Sequence, residues 1–104
     1  MERNKLLKLV KQTILKIEPG AEIILYGSRS REDNKNDSDW DFVILVDGKI
    51  DSERIDTIRH QIYEVEWDSG EVLSSIIRTR NDWGSPYFQA MPFYKNVVSE
   101  GIHI

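Results

Sequence analysis

Apolar residues recur along this chain with two periods, which divide it into alternating helices and strands. Leu6, Leu7, Val10, Ile14 and Ile17 are spaced by threes and fours, the repeat of one helix face, with lysines opposite them and Pro19-Gly20 as a stop. A helix is therefore expected over about residues 2–17. Ala21 to Tyr26 is a run of β-forming residues without charge after Glu22, which suits a strand covered on both faces. Gly27-Ser28 ends that strand, and a polar connector of ten residues (29–38) follows. Asp41 to Val46 repeats the uncharged pattern and Asp47-Gly48 closes it as a turn, so the two strands are expected to be sheet neighbours. Asp51-Ser52 offers a cap ahead of Ile55, Ile58, Ile62 and Val65, which predicts a second helix to about Glu66, ending before Asp68-Ser69-Gly70. Glu71 to Thr79 has the β-branched content and length of a third strand. The tail, with Trp83, Pro86, Tyr87, Phe88, Pro92, Phe93, Tyr94, Val97 and Val98, predicts one short helix, a break near Pro92 and a last helical stretch to Ser99. This order describes an α/β (α+β) domain in which helices pack on a small mixed β-sheet.

Composition narrows the possibilities. A chain of 104 residues, 39% apolar and 31% charged, reads as a single globular domain over 1–104. No stretch reaches the length of a membrane span, and MERNKLLKLVKQ is interrupted by charge too often for a signal peptide. Without cysteine there are no disulfides or thiolate metal sites, which is compatible with a cytoplasmic protein. The net charge of -4 argues against general nucleic-acid binding, because phosphate backbones require a basic face. Locally the balance differs, since Arg29, Arg31 and Lys35 follow the Gly-Ser turn.

Two places carry candidate chemistry. At Gly27-Ser28 the backbone can approach a ligand closely, and the following N–H groups with the Ser28 hydroxyl can converge on phosphate oxygens. At Asp39-Trp40-Asp41 alternation puts both carboxylates on one face and the indole on the other. Such a pair suits a hard, oxygen-seeking ion such as Mg²⁺. A calcium loop starting at Asp37 fails, because the required glycine is absent and Gly48 stands where a bidentate glutamate is needed. Holding two ions and deprotonating an acceptor would require a third acid, and topology favours Glu71 over Glu66 and Asp68.

Together these residues resemble the DNA polymerase β-like nucleotidyltransferase superfamily, specifically its minimal branch. The likeness lies in Tyr26-Gly27-Ser28, the spacer, Asp39-Trp40-Asp41 and the later Glu71. The branch's wording is matched further by Gly27-Ser28-Arg29-Ser30-Arg31, by Asp37-Ser38-Asp39-Trp40-Asp41 and by the ending Glu100-Gly101-Ile102. Two departures stand out: Glu32 replaces a usual glycine and places negative charge near the triphosphate, and the third acid is a glutamate where aspartate is common. The resemblance implies the nucleotidyltransferase fold and transfer of a nucleoside monophosphate from ATP or another nucleoside triphosphate, with pyrophosphate leaving. Asp39, Asp41 and Glu71 would hold two Mg²⁺ ions, with Glu71 also orienting or deprotonating the acceptor. Gly27 and Ser28 would seat the β/γ-phosphates, and Arg29 and Arg31 would neutralise pyrophosphate. It further implies a HEPN-domain protein as partner and AMP acceptor, this chain being the antitoxin. A small-molecule acceptor of the aminoglycoside type is the less favoured enzymatic reading, and a catalytically silent module that neutralises its partner by contact is the non-enzymatic one.

The remaining conspicuous residues have plain expectations. Trp40 and Trp67 should pack under the sheet or helices, and Trp83, Phe88, Phe93 and Tyr94 should form core or a partner surface, which leaves a homo-oligomer open. His60 and His103 have no companion at ligand spacing and should be structural or solvated.

Overall fold

The computed structural model describes residues 1–30 and 39–104; Arg31, Glu32, Lys35 and Asp37 lie outside the described residues. Helix α1 (Arg3–Ile17) starts where the Glu2 carboxylate accepts the N–H groups of Asn4 and Lys5 at 3.0 and 3.2 Å. It buries Leu6, Val10 and Ile14, three of the apolar positions that set its period. Strand β1 (Glu22–Tyr26) pairs antiparallel with β2 (Trp40–Val46), bringing Tyr26 opposite Asp41. Helix α2 (Ser52–Ser69), capped by Asp51 through a 2.8 Å bond from the Arg54 N–H, then returns the chain. Consequently β3 (Leu73–Thr79) runs parallel to β2, with Leu73 beside Trp40 and Ser74 beside Asp41.

Three short helices, α3 (Arg80–Trp83), α4 (Pro86–Gln89) and α5 (Pro92–Glu100), lead to β4 (Ile102–His103), which adds antiparallel to β1. The sheet order is β3-β2-β1-β4, a mixed sheet as the sequence pattern predicts. Its two faces are buried separately. Trp40, Phe42, Ile44, Val46, Leu73 and Ile77 pack with α1 and α2, whereas Ile24, Val43 and Leu45 pack with Trp83 and Val97 and with the rings of Tyr26, Phe88, Phe93 and Tyr94.

Several boundaries differ from those expected. Helix α2 continues past Glu66 to Ser69, because its polar end points to solvent and needs no apolar repeat; its close comes where the Gly70 N–H donates to the Glu66 carbonyl at 2.9 Å. Strand β3 begins at Leu73, so Glu71 precedes it. The single short helix expected before Pro92 is two, because Thr79 and Ser85 hydroxyls each cap a separate turn at 3.0 and 3.2 Å. Strand β4 was not expected, since two residues carry no periodic signal; the Ile104 N–H extends its pairing to the Ile23 carbonyl at 3.0 Å. Trp40 is buried as expected, at 2% exposure, but Trp67 is 88% exposed, correcting its assignment to the core. No helix among the described residues is long and apolar enough to cross a membrane.

Candidate active site

Pairing of β1 with β2 brings the Gly-Ser turn and the acid pair to the same end of the sheet. Gly27 has φ +78°, and a Cβ there would lie 2.9 Å from Asp41 Oδ2. The glycine is therefore required both by its left-handed backbone and by the approach of the carboxylate. Ser28 follows, partly buried, and the turn is closed by Ser30, whose N–H and Oγ both donate to the Gly27 carbonyl at 3.1 and 2.6 Å.

Asp39 is exposed just before β2, and Asp41 is half-buried in its first turn of pleat, on the face opposite Trp40. Burial raises the Asp41 pKa, and the charge of Asp39 raises it further. The Tyr26 phenol is also pushed up, first by burial and then by Asp41, and its ring meets Phe93 edge to face at 5.4 Å between centroids. Two mutually repelling carboxylates, one of them partly desolvated, form a donor set that a divalent cation relieves. The pair fits a Mg²⁺ that takes one or two carboxylates and completes its shell with phosphate and water.

The other expected site residues are placed elsewhere. Glu71 is not brought to Asp39 and Asp41: its Oε2 accepts the Trp40 indole N–H at 3.2 Å, and its Oε1 lies 3.3 Å from the Met1 ammonium. Trp40 projects to the α1/α2 side of the sheet, the face opposite Asp41, so these contacts of Glu71 lie apart from the acid pair. Arg29 is buried with its guanidinium 4.3 Å over the same indole. Arg31 lies outside the described residues. The rival acid Glu66 accepts the Leu73 N–H at 2.9 Å, and Asp68 sits at the end of α2. Among the described residues no third acid joins a metal-binding group. The neighbour of Asp41 on β3 is Ser74.

The profile of the Nucleotidyltransferase domain family matches residues 4–93. The chain belongs to the nucleotidyltransferase family. This nucleotidyltransferase domain is similar to a chain in a crystal structure of a toxin-antitoxin with AMP-PNP, with a TM-score of 0.60 at 19% identity over 99% of this chain and 72% of that one. At that identity the likeness is one of fold. No curated protein matches it. Within the nucleotidyltransferase domain, the residues missed from the sequence are Trp40 as a stacking platform and Ser74 as the strand neighbour of Asp41. The only signal for the first was the flanking of Trp40 by the acids; for the second there was none without the β2–β3 register.

Proposed function

We propose that this domain transfers a nucleoside monophosphate, AMP from ATP in the first instance, to a protein acceptor, and that it is the antitoxin whose partner is a HEPN-domain protein. The observation that carries the reading is the close approach of Gly27 to Asp41, which joins the phosphate-seating turn to the acid pair. Family membership supports the reaction class, and the fold shared with a toxin-antitoxin crystallised with AMP-PNP supports both nucleotide and partner.

In this reading the Gly27-Ser28 backbone N–H groups and the Ser28 hydroxyl bind phosphate oxygens, where the absence of a Cβ at Gly27 leaves room. Asp39 and Asp41 would hold Mg²⁺, which would relieve the burial and the Asp39 charge that weigh on the Asp41 carboxylate. When bound, Mg²⁺ supplies charge neutralisation for the triphosphate. Tyr26, fixed by Phe93, forms an aromatic wall beside Asp41. Holding a second ion needs a ligand beyond the two aspartates.

A binding-only module is favoured by one observation, the lack of a third acid beside the pair among the described residues. Incubation with Mg²⁺, labelled ATP and a HEPN-domain protein separates the readings. Label on the partner, reduced at least about a hundredfold by Asp41→Asn, supports transfer. Tight partner binding by both proteins with no label under any nucleotide supports the module and sinks the enzyme.

A further inference from the structure

Behind the acid pair, on the opposite face of the sheet, lies a second constellation centred on Trp40. The Trp40 indole is flanked in sequence by Asp39 and Asp41 and is 2% exposed. The Arg29 guanidinium, two residues beyond Gly27, stacks over its face at 4.3 Å. Glu71 accepts its edge N–H at 3.2 Å. Arg3, from the first turn of α1, donates to the Arg29 carbonyl and lies 5.9 Å from the same ring.

We infer that Arg29, Trp40 and Glu71 form a positioning relay that sets the Gly27-Ser28 turn against the Asp39-Asp41 pair, so that Glu71 serves nucleotide binding through Trp40 and not as a metal ligand. The inference rests on the proposed nucleotide site and deepens it. Each link has a physical basis. A carboxylate accepting the indole N–H enriches the ring, and an enriched ring holds a cation over its face more firmly. Arg29 is 7% exposed, so this hold fixes its backbone and with it the Gly27 carbonyl end of the turn. Trp40 shares its peptide links with both aspartates, so fixing the indole fixes the carboxylates along the strand. The turn and the acids approach each other on one face while being tied together from the other.

The test compares Glu71→Ala, Glu71→Gln, Trp40→Phe and the Glu71→Ala/Trp40→Phe double variant. Two readouts are used: amide hydrogen exchange at Gly27 and Ser28 by NMR, and binding of AMP-PNP with Mg²⁺ by calorimetry. Glu71→Ala and Trp40→Phe each speed exchange at the turn and weaken AMP-PNP by about tenfold, the loss expected for one hydrogen bond to a charged group. The double variant is no weaker than the worse single one, because both break one chain of contacts. Glu71→Gln restores both readouts, since its amide oxygen still accepts the indole N–H. Loss of AMP-PNP binding in Glu71→Gln equal to that in Glu71→Ala, with turn exchange at the wild-type rate, marks a metal ligand and overturns the relay. Wild-type behaviour of Glu71→Ala in both readouts overturns it too. Should Trp40→Phe not fold, the Glu71 pair decides alone, because that side chain lies at the surface of the constellation with 21% exposure. If the wild type binds no AMP-PNP, the nucleotide reading fails by itself, and exchange at Gly27 in Glu71→Ala and Glu71→Gln still decides the relay.

Discussion

A methyl group at position 27 meets two obstacles at once, a left-handed backbone and the Asp41 carboxylate 2.9 Å away. Gly27→Ala should therefore destabilise the fold by about 1–2 kcal/mol from the backbone alone, measured by urea denaturation. It should also abolish any rise in melting temperature caused by Mg²⁺, because Asp41 must move. The opposite sign is expected at Asp41. Burial and the Asp39 charge raise its pKa, so ionising Asp41 carries a cost to stability as pH rises above the ordinary carboxylate range. Asp41→Asn removes that cost and should raise Tm by about a few degrees in metal-free buffer, while removing the stabilisation by Mg²⁺. A Tm at or below wild type without metal would contradict this account of Asp41.

At the scale of elements, Arg54 braces the start of α2, the helix that leads from β2 to β3. Its Nε and Nη2 donate to Glu18 at 2.9 and 2.7 Å, and its Nη1 donates to the carbonyls of Asp47 and Lys49 at 2.7 and 2.8 Å. One side chain thus ties the end of α1 to the turn after β2 and the first turn of α2. Arg54→Ala leaves a carboxylate and two carbonyls without this partner and should cost about 2–3 kcal/mol, read from the urea midpoint. The hydrogen bond from Arg54 holds Glu18 below its ordinary value of 4.5, against the opposing effect of burial. A lowered carboxylate contributes stability that is complete above the unfolded value and is lost as pH falls through the folded one. Glu18→Gln should therefore flatten the loss of stability below about pH 4.5, and equal acid sensitivity in both proteins would remove Glu18 from the account.

The whole molecule divides its tryptophans by burial. Trp83 is 8% exposed among Phe88, Phe93 and Tyr94, closing the second face of the sheet, whereas Trp67 is 88% exposed on α2 near exposed Tyr63. Trp83→Ala should cost about 3–5 kcal/mol and Trp67→Ser less than about 0.5 kcal/mol in the isolated domain, compared by urea denaturation with intrinsic fluorescence. The short C-terminal segment matters at this scale as well. A Cβ on Gly101 would meet the Val97 carbonyl and lie 2.6 Å from Ile24 Cγ2, so only glycine has a place there. This contact is what allows β4 to close the sheet on β1.

The sequence by itself determined α1, α2 and β1 to β3 to within a few residues, the neighbouring of β1 and β2, and the two candidate halves of the site at Gly27-Ser28 and Asp39-Trp40-Asp41. Those features are local: an apolar period of 3.6 or 2, a cap, a glycine at a turn, and alternation that separates Trp40 from the acids. Only the tertiary structure decided what Glu71 and Arg29 touch. The segment before and along β3 offers Ile76 and Ile77 on successive positions, so alternation did not reveal which face meets the helices. That face was set by parallel pairing across an 18-residue helix, a long-range register with no local signature. Trp67 was misplaced because its helix continues beyond its apolar repeat into solvent. Local patterns record which residues prefer a strand, a helix or a turn; which side chains from distant segments meet behind Asp41 is settled only when the two faces of the sheet are packed.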